Sequence, residues 1–173
     1  VEGEEGLAPE DEILSIRVLD GEGGGDSVTV ARGIVEAADR GAKVINLSLG
    51  SDTSSHVLEN AVKYAQEKGA VVVAAVGNDG TRGVSFPARY EGVVGVTSVD
   101  AKGRQSAFAN YGEEVDLAAP GIGVYAAWSD DETVSFSGTS SSTAFVTGAL
   151  AAEISRNPGM KPDQVADMLY RYA

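Results

Sequence analysis

The chain has 173 residues, with 26 Asp and Glu against 13 Lys and Arg, one His and no Cys. The net charge of −13 excludes a protein that binds nucleic-acid phosphates or an anionic membrane surface, and the missing cysteine excludes disulfides, thiolate zinc sites and a cysteine nucleophile. No apolar run is long enough to span a bilayer, whereas an apolar fraction of 43% is sufficient to build a core.

The first half of the chain predicts strands that alternate with helices. Residues 13–19 form a short apolar run that predicts a strand, and the glycine-rich residues 21–26 predict a loop. Apolar residues at helical spacing predict helices over 28–40 and 54–68, each ended by a glycine. Residues 44–49 and 70–76 predict two further strands, the second apolar enough to be covered on both faces. This alternation predicts a doubly wound α/β fold with a mostly parallel sheet and helices on both faces.

The second half of the chain has a different rhythm. Turn-rich segments surround two short strands predicted at 93–99 and 115–118. A helix is predicted over 141–156, ended by an Asn-Pro-Gly breaker, and a last amphipathic helix over 162–170. No repeat or linker interrupts the pattern, so residues 1–173 are expected to form a single domain.

Two groups of small and polar residues stand where ligands bind in open α/β sheets. Residues 77–80, Gly-Asn-Asp-Gly, follow the most apolar strand, and residues 137–142, Ser-Gly-Thr-Ser-Ser-Ser, precede an apolar helix. A serine at that helix start meets unpaired backbone N–H groups and the positive end of the helix dipole, which favour a developing anion. An acyl-transfer nucleophile requires this environment.

Five segments of the chain resemble the subtilisin family of serine endopeptidases, in the family's order and with fitting spacers. They are VINLSLG at 44–50, VVVAAVGNDG at 71–80, SFPARY at 85–90, VDLAAPG at 115–121 and FSGTSSSTAFVTG at 136–148. The resemblance extends over nearly the whole chain. It implies a subtilisin-like fold, a peptide or protein substrate, and proteolysis through an acyl-enzyme.

The resemblance also implies roles for individual residues. Ser140 is the implied nucleophile, and the Asn78 carboxamide and the Ser140 backbone N–H are the implied oxyanion donors. An extended substrate would pair with two backbone edges by β-augmentation, and a pocket would hold the residue before the scissile bond. The implied substrate-binding residues are Gly23, Gly24 and Gly25 on one edge, Ser48, Leu49 and Gly50 on the other, and Ala75, Val76 and Gly77 in the pocket.

The family's catalytic Asp and His have no counterpart in this chain, because no Asp-Thr-Gly-like or His-Gly-Thr-His-like segment occurs in it. The single histidine, His56, is interpreted as a solvated residue at the start of a helix. We therefore expect the fold to be incomplete at its amino terminus. An upstream segment or a separate chain is expected to supply both groups and to complete the sheet, and residues 1–173 alone are expected to be inactive.

The resemblance implies secretion and is compatible with a structural calcium ion, although the chemistry requires no cofactor. No Asp-x-Asp-x-Asp-Gly string is present, so no residue is assigned to a metal. The acidic clusters at 2–5, 10–12 and 130–132 are interpreted as solvated surface.

Other functions remain open at this point. After the nucleophile the family usually has Met-Ala and then Pro-His, where this chain has Ser141-Ser142 and Ala144-Phe145. This departure and the missing His motivate an alternative to the endopeptidase, a non-catalytic protein that binds an extended peptide on the same scaffold. An unrelated α/β protein that uses residues 77–80 as an anion or nucleotide cradle is a further alternative.

Overall fold

A four-stranded parallel sheet, in the order β1-β2-β3-β4, forms the centre of the computed structural model, which describes residues 6–128 and 132–172. Two helices cover each face of the sheet, and a β-hairpin lies outside it. The sheet strands are β1 (Val44–Leu47), β2 (Val71–Ala75), β3 (Val94–Val99) and β4 (Leu117–Pro120), the helices are α1 (Ser27–Asp39), α2 (His56–Glu67), α3 (Thr139–Arg156) and α4 (Pro162–Tyr172), and the hairpin strands are β5 (Val124–Ala127) and β6 (Thr133–Phe136). The doubly wound α/β prediction is confirmed.

Strand β2 is buried along its whole length because helices cover both of its faces. Val72 and Ala74 pack with α1 and α2 in one apolar cluster, and Val71 and Val73 pack with α3 and α4 in the other. A central parallel strand buried on two sides needs a continuous apolar run, which is what residues 70–76 provide. The strand therefore fixes the position of the polar residues 77–80, which follow it at the carboxyl edge of the sheet.

Helix α1 begins and ends as its sequence predicts. The Asp26 carboxylate caps it by accepting hydrogen bonds from the backbone N–H groups of Val28 and Thr29, both at 2.9 Å. The hydrogen bond from the Thr29 backbone holds the pKa of Asp26 below its ordinary value. Gly41, at φ +84°, takes the left-handed conformation just after the helix end.

The prediction of a strand over residues 13–19 is wrong. Half-buried Leu14, Ile16 and Val18 alternate with exposed residues in this segment, the pattern that suggested a strand. Within the described residues, however, its backbone pairs with no strand. Its inward side chains pack on α1 instead, where Val18 lies so close to Gly33 that a Cβ at position 33 would overlap it.

The remaining differences from the predicted elements are smaller. Helix α3 begins two residues before the predicted start at 141, α4 extends to Tyr172, and β4 is shifted by two residues toward the carboxyl end. The hairpin is missing from the predicted elements because its strands have four residues each and alternate only weakly. Its Trp128 and Phe136 rings contact each other with their centroids 5.3 Å apart.

Gly33→Ala is expected to destabilise the chain by about 1–3 kcal/mol through overpacking against Val18. The sign of this change in stability is informative, because alanine inside a helix normally stabilises it by about 1 kcal/mol relative to glycine. Urea denaturation measures the change. In a Val18→Ala background the overlap is relieved, so the same substitution should become neutral or stabilising. Stabilisation by Gly33→Ala in the unchanged chain would contradict the packing of residues 13–19 on α1.

Candidate active site

The turn after β2 is held in a single conformation by its neighbours. Gly77 has φ +109°, and a Cβ there would lie 2.7 Å from Ser85 Oγ and would overlap the Asn110 carboxamide. The Asn110 backbone N–H donates to Gly77 O at 3.0 Å, and Asn110 Oδ1 accepts from the Asp79 N–H at 2.8 Å. Asn78 is therefore presented from a turn that is fixed on both sides.

Helix α3 fixes the orientation of the Asn78 carboxamide. The Thr139 backbone N–H and the Thr139 hydroxyl both donate to Asn78 Oδ1, at 2.8 Å and 2.9 Å. Thr139 itself is fully buried, and the Thr143 hydroxyl donates to its carbonyl at 2.7 Å. Because the carboxamide oxygen is engaged twice, the amide nitrogen of Asn78 is directed away from Thr139.

One side-chain donor and one backbone donor face the same space beside Ser140. Among the described residues, neither Asn78 Nδ2 nor the Ser140 backbone N–H has a hydrogen-bond partner. A Cβ built on Gly138 would lie 3.6 Å from Asn78 Nδ2 and 3.8 Å from the Ser140 nitrogen. The glycine leaves this space open, and the arrangement fits an oxygen that gains negative charge during a reaction.

The Ser140 side chain faces the end of β1. Its Oγ donates to the Ser48 carbonyl oxygen at 3.4 Å, and the Ser48 hydroxyl donates to the Ser140 carbonyl oxygen at 3.0 Å. The chain of hydrogen bonds continues from Asn46 Nδ2 to Ser48 Oγ at 3.0 Å and from the Thr147 hydroxyl to Asn46 Oδ1 at 2.9 Å. The structure thus brings Ser140, Asn78 and Ser48 together at the carboxyl edge of the sheet.

The other predicted substrate-binding residues have no recorded hydrogen bond to Ser140 within the described part of the chain. Gly23, Gly24 and Gly25 form an exposed loop before α1, in which the Asp20 N–H donates to Gly24 O at 2.8 Å. Leu49 and Gly50 follow β1. Ala75 and Val76 are buried, and the backbone of Val76 is engaged on both sides, because its N–H donates to Val96 O at 3.2 Å and its carbonyl accepts from the Ser85 N–H at 2.9 Å. Their roles in binding stay predictions.

His56 is the first residue of α2, and its side chain is 96% exposed. Its Nδ1 lies 3.8 Å from Glu59 Oε2, one helical turn away. The hydrogen bond to the Ser48 carbonyl is the one recorded for the Ser140 hydroxyl within the described residues, so no imidazole or carboxylate from that part of the chain engages it. The interpretation of His56 as a solvated helix-start residue fits this placement.

Among residues 6–128 and 132–172, no three Asp, Glu or His side chains come together in a group that could hold a metal ion. The calcium ion therefore stays a prediction without assigned ligands. Residues 2–5 and 130–131 of the predicted acidic clusters lie outside the described residues. In the same described ranges, no helix has the length and apolarity needed to cross a membrane.

Several supporting residues were not singled out from the sequence. Thr139 and Asn110 hold the site in place through their hydrogen bonds to Asn78 and Asp79. Thr139 lies within the segment 136–148 without a role implied for it, and Asn110 lies outside all five segments. Ser142, part of the departure from the family pattern, is fully buried, and its hydroxyl donates to Ala119 O at 3.0 Å and Pro120 O at 3.2 Å. That residue therefore ties α3 to β4 instead of disturbing the helix start.

Known proteins match nearly the whole chain. The profile of the subtilase family matches residues 2–173. Thermitase of Thermoactinomyces vulgaris is 47% identical over 143 residues, which is 83% of this chain and 51% of that protein. The thermostable alkaline protease of Halalkalibacterium halodurans is 39% identical over 168 residues, or 97% and 46% of the two chains. The solved structure of a cold-adapted subtilisin-like serine proteinase superposes with a TM-score of 0.91 at 34% identity, over 96% of this chain and 62% of that one. The chain thus spans about half the length of the first two relatives.

Thr139→Val should loosen the Asn78 carboxamide, because valine keeps the shape of threonine but loses the hydroxyl, which leaves the backbone N–H as the one remaining Thr139 donor to Asn78 Oδ1. We expect the free energy of unfolding to fall by about 1 kcal/mol, the usual contribution of one hydrogen bond. The side-chain amide resonances of Asn78 should also shift in an NMR spectrum. Thr139→Ser retains the hydroxyl and should leave those resonances in place. Unchanged Asn78 resonances in Thr139→Val would show that the carboxamide is held by something else.

Proposed function

The chain belongs to the subtilase family, and on that premise we propose that it carries the nucleophile and the oxyanion hole of a serine endopeptidase. Ser140 Oγ attacks the carbonyl carbon of a peptide bond, while Asn78 Nδ2 and the Ser140 N–H hold the resulting oxyanion. The observation that carries this proposal is the pair of unpartnered donors, from two separate elements, that border one space beside Gly138.

The reaction proceeds in two steps. In the first, the Ser140 hydroxyl loses its proton to a base, an ester forms between Oγ and the substrate carbonyl, and the amine leaves after taking that proton. In the second, water hydrolyses the ester and restores the hydroxyl. Both steps pass through a tetrahedral oxyanion, so the same two donors act twice.

The base comes from outside residues 1–173. The Ser140 hydroxyl donates to a backbone carbonyl, which cannot take up its proton, and the single histidine of the chain is solvated on α2. An additional segment or chain therefore supplies the imidazole and the carboxylate that orients it. Residues 1–173 by themselves are inactive under this proposal.

The substrate is an extended peptide that lies along the carboxyl edge of the sheet. Ser48 supports this placement, because it is hydrogen-bonded to Ser140 and is followed by half-buried Leu49 and exposed Gly50. The loop of Gly23, Gly24 and Gly25 forms the opposite edge, and Ala75, Val76 and Gly77 line the pocket before the scissile bond. The protein acts outside the cell under this proposal, as the family resemblance implies.

A second candidate function is a peptide-binding protein that does not cleave its ligand. The observation that favours it is the engagement of the Ser140 hydroxyl by the Ser48 carbonyl, without an imidazole from this chain. Under this alternative the same edges bind the peptide, and Ser140 stays unreactive when a His and an Asp are supplied.

The two functions separate in a labelling experiment with a fluorophosphonate, which reacts with activated serines. The 173-residue chain is joined to the part of thermitase that precedes the matched region. We expect rapid labelling at Ser140, whereas the chain alone should react at least a thousandfold more slowly. The reason is that loss of the base costs about a millionfold in kcat, a figure measured in subtilisin, a member of this family.

Three variants sharpen the labelling experiment. Ser140→Ala should abolish labelling, while Ser141→Ala, which removes the neighbouring hydroxyl, should preserve it. Asn78→Ala should slow labelling about 10²- to 10³-fold, the effect of removing the equivalent donor in subtilisin itself. A folded, joined protein that takes no label at Ser140 would refute the endopeptidase proposal and favour the binding protein.

A further inference from the structure

Three side chains connect the middle of α3 to the end of β1 and from there back to the start of α3. The Thr147 hydroxyl donates to Asn46 Oδ1 at 2.9 Å, and Asn46 Nδ2 donates to Ser48 Oγ at 3.0 Å. The Ser48 hydroxyl then donates to the Ser140 carbonyl oxygen at 3.0 Å. We refer to these three hydrogen bonds as the Thr147 network. It begins and ends on the helix that carries Ser140.

The direction of every hydrogen bond in the Thr147 network is fixed by its last acceptor. A backbone carbonyl can only accept, so the single proton of the Ser48 hydroxyl is used on the Ser140 carbonyl oxygen. Ser48 Oγ must then accept from Asn46, which turns the Asn46 amide nitrogen toward Ser48 and the amide oxygen toward α3. That oxygen can only accept, so the Thr147 hydroxyl has to donate to it. One arrangement of protons therefore satisfies all members of the network.

Thr147 and Ser140 lie on the same face of α3. They are seven residues apart, which is close to two helical turns, or about 10 Å along the helix axis. From this face Ser140 contacts Ser48, and Thr147 contacts Asn46, two residues earlier in the chain. The network thus joins the helix to the end of β1 at two points, so α3 cannot slide along the strand without breaking hydrogen bonds.

Ser48 is the member of the network that contacts the nucleophile. In addition to the bond that its hydroxyl donates, its carbonyl oxygen accepts from Ser140 Oγ at 3.4 Å, so two hydrogen bonds join these residues. Ser48 stands just beyond the end of β1, and no backbone–backbone hydrogen bond is recorded for it among the described residues. Because the sheet does not hold Ser48, its position depends on its side chain and therefore on Asn46.

Thr147 is the partner that α3 offers to Asn46. Six residues of α3 line the cavity beside β1, and the two polar ones are Thr147 and Ser155. The Ser155 hydroxyl donates to Asp11 Oδ1 at 2.5 Å, near the other end of the helix. The remaining four have apolar side chains or none: Ala144, Gly148, Ala151 and Ile154. Without the Thr147 hydroxyl, the Asn46 carboxamide would have no partner on the described part of α3, and it would be free to rotate.

We propose that Thr147 is a positioning residue for the Ser140 nucleophile. Its hydroxyl orients the Asn46 carboxamide, Asn46 holds Ser48, and Ser48 holds the side chain and the carbonyl of Ser140. This inference rests on the proposed function, because the position of the hydroxyl affects catalysis only if Ser140 attacks a substrate. A displacement of about 1 Å can cost about a hundredfold in rate, so a partial loss of order is expected to cost about tenfold.

A purely structural role of Thr147 predicts a different result. A hydrogen bond that only stabilises the fold would lower the melting temperature when it is removed, and it would leave the reactivity of the folded protein unchanged. The rate of the folded protein therefore separates positioning from stability.

Thr147→Val in the joined protein tests the proposal, because valine keeps the shape of threonine and loses the hydroxyl. We expect the maximal rate of fluorophosphonate labelling at Ser140 to fall about tenfold, while the half-saturating concentration of the probe stays within about twofold. Thr147→Ser retains a hydroxyl and should restore the rate to within about twofold. Ser155→Ala is the matched control, because it removes the other polar contact of α3 along the same cavity, about four turns beyond Ser140, and it should leave the rate unchanged.

The rotamer of Ser140 provides a second readout that requires no catalysis. In the 173-residue chain, the three-bond couplings between the α- and β-protons of Ser140 report whether its side chain occupies one staggered rotamer. We expect a single rotamer in the unsubstituted chain and in Thr147→Ser. In Thr147→Val the couplings should be averaged over several rotamers.

The outcomes distinguish this inference from the proposed function. If the unsubstituted joined protein is labelled rapidly and Thr147→Val is labelled at the same rate, or if Thr147→Ser fails to restore the rate, the positioning role is overturned and the endopeptidase proposal stands. If the unsubstituted joined protein takes no label, the endopeptidase proposal fails, and averaged couplings in Thr147→Val would still support the positioning of Ser140. Unchanged couplings in Thr147→Val would overturn the inference in either case.

Discussion

The two hydrogen bonds from Thr139 to the Asn78 carboxamide oxygen are the constraint on which the site depends. They connect the end of β2 to the start of α3, across 61 positions of sequence. Because the oxygen accepts both hydrogen bonds from Thr139, the amide nitrogen is turned away from that residue and borders the space beside Gly138. Without this connection the carboxamide would rotate freely, and its nitrogen and the Ser140 N–H would no longer point to one oxygen.

The site obtains its rigidity from the core beneath it. Thr139 is fully buried at the start of α3, and the same helix packs Val146 and Leu150 against the inner strands. Gly77 permits the close packing of the turn after β2, since a Cβ at this position would overlap the Asn110 carboxamide and lie 2.7 Å from Ser85 Oγ. An oxyanion hole stabilises charge efficiently only when its donors are already in place, and here the packing of a helix on a sheet places them.

Much of this architecture could be predicted from the sequence because it follows from local patterns. The continuous apolar run of β2 and the glycines after α1 and α2 specify elements whose bounds agree with the structure to within one or two residues. Residues 13–19 show the limit of such patterns: alternation reports which side chains face inward, but a strand also requires a backbone partner. Leu14, Ile16 and Val18 face inward, and the partner is lacking among the described residues. Likewise, the motifs predicted Asn78 and Ser140, whereas the supporting Thr139, Asn110 and Ser48 hydrogen bonds depend on tertiary distances that no local pattern encodes.

The central claim is that one oxygen can be bound simultaneously by Asn78 Nδ2 and the Ser140 N–H while it is bonded to the group on Ser140 Oγ. A crystal structure of the joined protein after reaction with the fluorophosphonate measures this most directly. We expect a phosphoryl oxygen within about 3 Å of both nitrogens. A covalent adduct whose phosphoryl oxygens point into solvent, away from both donors, would contradict it.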